Sequence, residues 1–204
     1  MIDAVEAVLG CAVPRETGDL LARYAAMLIE ENGRQNLISR STIADLGKRH
    51  LADSAQLMAD GKTAGRWADI GSGAGLPGVV LAILGVESIA LIEPRRLRAE
   101  FLQRVVGDLG LTTARVVNNR AEVATGRFDS ITARAVAPAT DILWKTRHLA
   151  HKDTRYLLMK GRSAQSELEA VRAAWHGDFR LVPSRTDREA AIIVATGVRP
   201  RGGS

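Results

Sequence analysis

The sequence predicts an α/β fold in which helices cover both faces of a mostly parallel β-sheet. Two observations support this prediction. After about residue 62, short β-rich segments alternate with segments of helical periodicity, as in sheets built from crossover connections. The first of these β-segments leads directly into a glycine-rich stretch, DIGSGAGLPG at residues 69–78. Ligands of such sheets bind at the carboxyl ends of the strands, so we expect the functional site at this turn.

Residues 1–62 are predicted to form a helical N-terminal cap. Helical spacing of apolar residues predicts one helix over residues 17–32 and a second over residues 41–58. Asn32-Gly33 and Asp60-Gly61 are the predicted stops. One face of the first helix is made by Leu20, Leu21, Tyr24, Met27 and Leu28.

Residues 63–198 are predicted to form the α/β domain. Six β-segments can be located, at residues 66–70, 88–92, 113–117, 129–133, 155–159 and 190–196. Helical patterns lie between them, at residues 76–84, 95–109, 138–149 and 163–175. Residues 199–204 are rich in Arg and Gly, and we expect them to form a flexible tail.

Composition narrows the class of protein. The 204 residues, of which 46% are hydrophobic and 25% charged, suit a globular protein with one sizeable core. Cys11 is the single cysteine, so an intramolecular disulfide is excluded and a reducing, cytoplasmic location is expected. No apolar run approaches the roughly 20 residues of a membrane span, and the N-terminal segment carries acids where an export signal has bases. The net charge of +5 permits a nucleic-acid partner.

The charges around the glycine-rich turn distinguish two classes of ligand. Gly73, Gly75 and Gly78 satisfy the G-x-G-x-x-G pattern of dinucleotide-binding proteins, whose pyrophosphate lies on a helix N-terminus. Asp69 ends the preceding strand, and a carboxylate about 5 Å from a pyrophosphate costs several kcal/mol at an effective dielectric of about 20. S-adenosylmethionine instead brings an ammonium and a sulfonium, which an acid attracts. The pattern therefore favours S-adenosylmethionine over a nicotinamide dinucleotide or a turn without ligand.

A second acid is consistent with either ligand. Glu93 lies 22 residues beyond Gly71, at the end of the second predicted strand. An acid at this position can accept both hydroxyl groups of a ribose. Because a nicotinamide dinucleotide also contains ribose, Glu93 does not discriminate between the two ligands.

Further motifs give the chain a family resemblance. They are Asn36-Leu37, Arg49-His50, Asp53-Ser54, the Gly-Leu-Pro-Gly ending of the turn, Arg98, Phe101-Leu102, Arg120-Ala-Glu122, Phe128-Asp129, Arg134-Ala135 and Lys160-Gly161. Together they resemble the bacterial small-subunit rRNA guanine-N7 methyltransferase family, also called glucose-inhibited division protein B. The resemblance implies a Rossmann-like class I S-adenosylmethionine-dependent methyltransferase with a seven-stranded, mostly parallel sheet. It also implies a monomer that methylates N7 of guanosine 527 in 16S rRNA.

Site residues follow from the resemblance and from the turn. The predicted cofactor-binding residues are Asp69, Gly71, Gly73, Leu76, Glu93, Pro94, Arg95, Ala121, Glu122 and Arg134. Arg134 and Asn36 are the predicted catalytic residues, although Arg134 is also suited to pairing with a carboxylate and Asn36 to capping a turn.

Three residues are predicted to bind RNA: Lys160, Arg95 and His50. For Lys160 the alternative is a solvated lysine. His50 and Asp53 lie one helical turn apart, and we expect a structural hydrogen-bonded pair because two ligands do not make a metal site. We accordingly expect no metal.

The residue types fit a direct methyl transfer. Guanine N7 has a free lone pair and no proton to lose, so alignment, worth roughly 7–11 kcal/mol, can replace acid–base chemistry. Cys11 is far in sequence from every predicted strand end, which argues against cytosine-C5 transfer through a thiol adduct. Residues 132–138 lack the Asn/Asp-Pro-Pro-aromatic motif of adenine-N6 transfer. The assignment of N7 itself comes from the resemblance, and a methyltransferase for another RNA or a small molecule remains an alternative.

Overall fold

A seven-stranded sheet forms the centre of the protein. The structure, a computed structural model, describes residues 1–59 and 62–202. The strands are β1 (Arg66–Ile70), β2 (Ser88–Ile92), β3 (Ala114–Val117), β4 (Phe128–Arg134), β5 (Ala150–Lys160), β6 (Trp175–Pro183) and β7 (Ala191–Pro200). Their order is β3-β2-β1-β4-β5-β7-β6. Strands β1 to β5 run parallel, whereas β7 is antiparallel to both β5 and β6.

This order places a topological switch point beside β1. The chain builds outward from β1 to β3 and then returns to add β4 on the other side of β1. The connections after β1 and β4 therefore diverge to opposite faces, which opens a crevice at the carboxyl ends of these two strands. The predicted α/β fold with a mostly parallel sheet is confirmed.

Helices cover both faces of the sheet. They are α1 (Ile2–Leu9), α2 (Arg15–Gln35), α3 (Asp53–Ala55), α4 (Gly78–Ile83), α5 (Arg96–Asp108), α6 (Ala139–Thr146) and α7 (Ala164–Ala174). One core joins α1, α2, α4 and α5 to the sheet, and the other joins α6 and α7 to its opposite face. Leu21 of α2 and Trp67 of β1 belong to the same core, in which α2 packs on α4 and α5 and is joined through them to the sheet. No helix within the described residues is long and apolar enough to span a bilayer.

The N-terminal segment is more irregular than the sequence predicts. Helix α1 is not anticipated by the prediction, and the helix expected over residues 41–58 is a succession of short pieces. These are 3-10 turns at Arg40–Thr42 and Gln56–Met58, a π-helical turn at Gly47–Ala52, and α3. A Cβ added at Gly47 would lie 2.8 Å from the Cα of Met1, so close packing against α1 accompanies the irregularity. The predicted stop at Asp60-Gly61 lies outside the described residues.

The C-terminal part of the chain, from α7 onward, also differs from the prediction. The helix predicted over residues 163–175 ends at Ala174, and β6 begins at Trp175, whose side chain is buried. Strand β7 continues to Pro200, which pairs with Trp175, and the N–H of Arg201 donates to the carbonyl of Ala174. Residues 199–200, expected in the tail, thus belong to β7, and Arg201 is hydrogen-bonded to the end of α7, while 203–204 lie outside the described residues.

Candidate active site

The glycine-rich turn lies between β1 and α4 and requires glycine for two reasons. Gly71 and Gly75 adopt φ of +66° and +94°, in the region that side chains disfavour. A Cβ on Gly71 would lie 2.7 Å from Val136, and one on Gly75 would lie 2.6 Å from Val79. The turn is anchored to β2 because the N–H of Gly71 donates to the carbonyl of Ile92 at 2.8 Å. Gly71 therefore presents bare backbone to the crevice, whereas Gly75 faces the core.

Asp69 lies beneath this turn and does not face the crevice. Its side chain is fully buried, and Oδ2 accepts the N–H of Gly78 at 3.0 Å, at the start of α4. Its Oδ1 is buried with no hydrogen-bond partner in the described structure. Burial raises the pKa of Asp69 to about 7. The prediction that Asp69 contacts a cationic ligand directly is therefore wrong. Side chains alternate along a strand, so Asp69 points to the same face of the sheet as Trp67, the face that α4 covers.

A first cavity of about 580 Å³ opens at the carboxyl ends of β1, β2 and β4. Apart from Asp69, all the predicted cofactor-binding residues line it: Gly71, Gly73, Leu76, Glu93, Pro94, Arg95, Ala121, Glu122 and Arg134. The volume lies within the range of about 300–1,000 Å³ typical of small-molecule sites. The structure thus brings together residues that are up to 63 positions apart in the sequence.

Glu93 organises one wall of the first cavity. Its carboxylate is 3% exposed, with Oε2 accepting the N–H of Gly73 and Oε1 accepting the N–H of Arg95, both at 2.8 Å. The side chain of Asn118 donates to the Glu93 carbonyl at 2.9 Å. Each oxygen of a carboxylate offers two acceptor positions, so each can still accept one hydroxyl group. Glu93 is therefore held rigidly and keeps the capacity to bind a ribose diol.

A second cavity, of about 760 Å³, adjoins the first. Its wall combines the irregular N-terminal segment, the ends of β4 and β5, and the loop between β6 and β7. The residues that line both cavities are Leu37, Arg134, Ala135 and Val136. Arg134 is the one charged residue of this shared wall in the described structure, and Ala135 turns the chain there with φ of +53°. Two ligands bound in these cavities would meet at Arg134.

Asp53 pairs with Arg134 and not with His50. The Asp53 Oδ2 accepts Arg134 Nη1 at 3.3 Å, and both side chains are 18% exposed. His50 Nε2 lies 2.8 Å from Oγ1 of Thr42, so the predicted His50–Asp53 pair is wrong. Burial, with the nearby cations Arg134 and Arg49, lowers the pKa of His50 to about 4. His50 therefore lines the second cavity as a neutral ring, which cannot supply a positive charge to an RNA phosphate.

Lys160 is not available as a phosphate contact. Its side chain is 6% exposed, and Nζ lies 2.8 Å from Oε2 of Glu167 and 2.6 Å from the carbonyl of Ala137. It lines the second cavity as half of an internal ion pair. Both the expected RNA contact and the alternative of a solvated lysine are corrected, because Glu167 of α7 and Ala137 of the loop after β4 supply partners that sequence order does not reveal.

Asn36 lies outside both cavities. It is exposed, adopts φ of +50°, and caps the end of α2 through its N–H, which donates to the Asn32 carbonyl at 3.2 Å. Of the two expected roles, the structure shows the capping role and not the catalytic one. The next residue, Leu37, is the one that lines both cavities. Leu37 belongs to the Asn36-Leu37 motif, so the sequence contained a signal for this residue, although no role was predicted for it.

Several lining residues received no role from the sequence. Ser72, Ala74, Arg98, Arg120, Val136 and Lys145 line the first cavity. Arg98 and Arg120 belong to the resembling motifs, and together with exposed Arg95 they place cations at its mouth. Arg104 of α5 instead forms an ion pair with Glu31 of α2, with 2.6 Å between Nη2 and Oε2. The described residues hold no cluster of three or more His, Cys, Asp or Glu side chains suited to a metal ion.

Comparison with known proteins identifies the family. Residues 18–184 match the family model described as GidB, rRNA small subunit methyltransferase G. The chain belongs to this family. A "Ribosomal RNA small subunit methyltransferase G" from Rhizorhabdus wittichii is 47% identical over 195 residues, covering 93% of this chain and 90% of the relative. Another protein of that name, from Zymomonas mobilis, is 43% identical over 200 residues, with the same two coverages.

Solved structures agree on the fold. A SAM-dependent methyltransferase from Aquifex aeolicus superposes with a TM-score of 0.60 at 15% identity, covering 78% of this chain and 99% of that one. A mutant of MtNAS in complex with S-adenosylmethionine gives 0.57 at 15% identity and covers 96% and 84%. The fold is that of class I S-adenosylmethionine-dependent methyltransferases. With the family, this establishes an rRNA methyltransferase whose cofactor is S-adenosylmethionine.

Proposed function

We propose that this family member transfers the methyl group of S-adenosylmethionine to N7 of a single guanosine, nucleotide 527 of 16S rRNA. The observation that supports the proposal is the pair of adjoining cavities with the shared wall at Arg134. The first cavity is suited to the methyl donor and the second to a nucleobase. The choice of N7 and of this nucleotide follows the family resemblance of the sequence.

The residues of the first cavity fit the donor. Glu93 would accept the ribose hydroxyls, and the glycine faces at Gly71 and Gly73 leave room for the methionine portion. A dinucleotide fits poorly for a reason independent of direct charge contact. Its pyrophosphate needs free N–H groups at the N-terminus of the helix after β1, but the carboxylate of Asp69 already occupies the N–H of Gly78 there.

The chemistry demands alignment above all. When bound, S-adenosylmethionine supplies an electrophilic methyl group, which N7 attacks with its lone pair while the sulfur leaves with the bonding electrons. No proton is transferred, so the chain needs no general base. Its contribution is to hold the two partners in line, and positioning of this kind is worth roughly 7–11 kcal/mol. Arg134 is placed to orient either partner because it lines both cavities.

RNA would be held by cations at the cavity mouth. Arg95 and Arg120 are exposed and Arg98 is half-buried, and none of the three forms an ion pair with another residue of the described ranges. Phosphate contacts from such side chains give affinity that falls as salt rises. We further propose that the protein acts as a monomer in the cytoplasm, as its sequence led us to expect.

Mass mapping of rRNA tests the proposal. 16S rRNA from cells lacking the protein should lose 7-methylguanosine at nucleotide 527 and regain it when the purified protein and S-adenosylmethionine are added. A protein with Glu93→Gln should need a higher S-adenosylmethionine concentration, whereas Glu100→Gln, in an exposed ion pair with Arg96, serves as the matched control. An unchanged methylation pattern in the deletion strain would contradict the rRNA assignment. Methylation of another nucleotide would contradict the choice of target.

A further inference from the structure

We propose that Asp53 is a positioning residue, which holds the guanidinium of Arg134 at the junction of the two cavities so that it orients the target purine. The inference rests on the proposed function, because it takes the second cavity as the site of the base. Asp53 itself acts through Arg134 and not on the reacting atoms. No other carboxylate in the described structure forms an ion pair with Arg134.

The carboxylate of Asp53 is fixed from several directions. Oδ1 accepts the hydroxyl of Thr186 at 2.7 Å and the side-chain amide of Gln56 at 2.8 Å, and Oδ2 accepts Arg134 Nη1 at 3.3 Å. The backbone of Asp53 lies in α3, which packs against α4. A carboxylate held on both oxygens cannot rotate freely, so it can restrain the orientation of Arg134.

The same network holds a wall of the second cavity. Gln56, which is buried, accepts the N–H of Arg185 at 2.9 Å and donates to Oγ of Ser184 at 3.2 Å. Ser184 and Thr186 both belong to the loop between β6 and β7 and line the cavity. Asp53 therefore joins this loop to Arg134, and the spacing between the loop and the shared wall depends on it.

The chemistry of guanine explains why Arg134 needs a restraint. A guanidinium carries five N–H donors in a rigid fork and commonly donates to both O6 and N7 of guanine. A hydrogen bond to N7 would occupy the lone pair that attacks the methyl group. Because Asp53 occupies one arm of the fork, the remaining donors are directed, and an arrangement that favours O6 over N7 becomes possible.

A double-mutant cycle in methyl-transfer kinetics tests this inference. The variants are Asp53→Asn, Arg134→Lys and their combination, and Glu30→Gln is the control because it changes a carboxylate to an amide in the exposed Arg34–Glu30 pair, outside both cavities. We expect Asp53→Asn to lower kcat at least tenfold, with an S-adenosylmethionine affinity by calorimetry within about threefold of wild type. The double variant should have the kcat of Arg134→Lys alone, because coupled residues are non-additive. Glu30→Gln should keep wild-type kcat.

Other outcomes would overturn the inference. Full kcat in Asp53→Asn, or losses that simply multiply in the double variant, would show that Asp53 does not act through Arg134. Should Asp53→Asn fail to fold, Asp53→Glu takes its place, since it keeps the charge but lengthens the arm, and the same non-additivity is expected. A wild-type protein that leaves 16S rRNA unmethylated would contradict the proposed function and this inference with it. Active wild-type enzyme with a failed cycle would contradict the inference alone.

Discussion

Replacing Asp69 by Asn should remove a pH dependence of folding stability. Burial raises the pKa of this carboxyl from 3.8 to about 7, so between these values the folded protein holds a proton that the unfolded chain releases. The stability it contributes is therefore present at low pH and is lost as the pH rises through about 7. Between pH 5 and pH 8 this loss is about 3 kcal/mol, since each pKa unit corresponds to about 1.4 kcal/mol. Asp69→Asn keeps an oxygen for the N–H of Gly78 but has no proton to lose.

Urea unfolding followed by tryptophan fluorescence measures this effect, because Trp67 and Trp175 are buried. The free energy of unfolding of Asp69→Asn, relative to wild type, should rise by about 3 kcal/mol from pH 5 to pH 8. Asp19→Asn, at an exposed position of α2, should show a constant difference over the same range. A constant difference for Asp69→Asn as well would mean that the buried carboxylate is already ionised at pH 5, and the reasoning from burial would be refuted.

Three further predictions, the first with a matched control variant, test the packing and charges around the site. Gly78→Ala should lower the free energy of unfolding by about 2 kcal/mol, because the added methyl group would overlap Leu91 of β2. The control Gly107→Ala has open space around its methyl group and should raise the free energy of unfolding by up to about 1 kcal/mol. Equal thermal stability of these two variants would contradict the close packing of the turn. Lys160→Met should cost about 3 kcal/mol in chemical unfolding by leaving Glu167 unpaired, and a neutral effect would show that the pair is not internal. Arg95→Ala should reduce the salt-dependence slope of RNA binding by about 1, and an unchanged slope would remove Arg95 from the RNA contacts.

Local backbone requirements made the first cavity predictable. A glycine-rich turn after a strand and an acid at the end of the next strand are fixed by short-range chemistry, so Gly71, Gly73 and Glu93 could be placed from the sequence. The orientation of Asp69 is a different matter. Alternation along β1 puts it on the same face as Trp67, but which face borders the crevice is decided only when α4 packs on the sheet.

Residues whose partners come from distant elements could not be placed. Lys160 looks like a free cation at a strand end, yet Glu167 of α7 and the carbonyl of Ala137 enclose it. His50 and Asp53 are neighbours on a helical wheel, but the π-helical turn and the loop bearing Thr186 give Asp53 other partners. The second cavity is built from such long-range contacts, so no local sequence pattern predicts it.

An RNA that lacks the proposed acceptor atom tests methyl transfer to N7 most directly. Small-subunit particles can be reconstituted with 16S rRNA that carries either guanosine or 7-deazaguanosine at nucleotide 527, and incubated with the protein and methyl-labelled S-adenosylmethionine. We expect one methyl group per particle with guanosine, recovered as 7-methylguanosine, and none with 7-deazaguanosine. Equal labelling of both particles would contradict methyl transfer to N7 of this nucleotide.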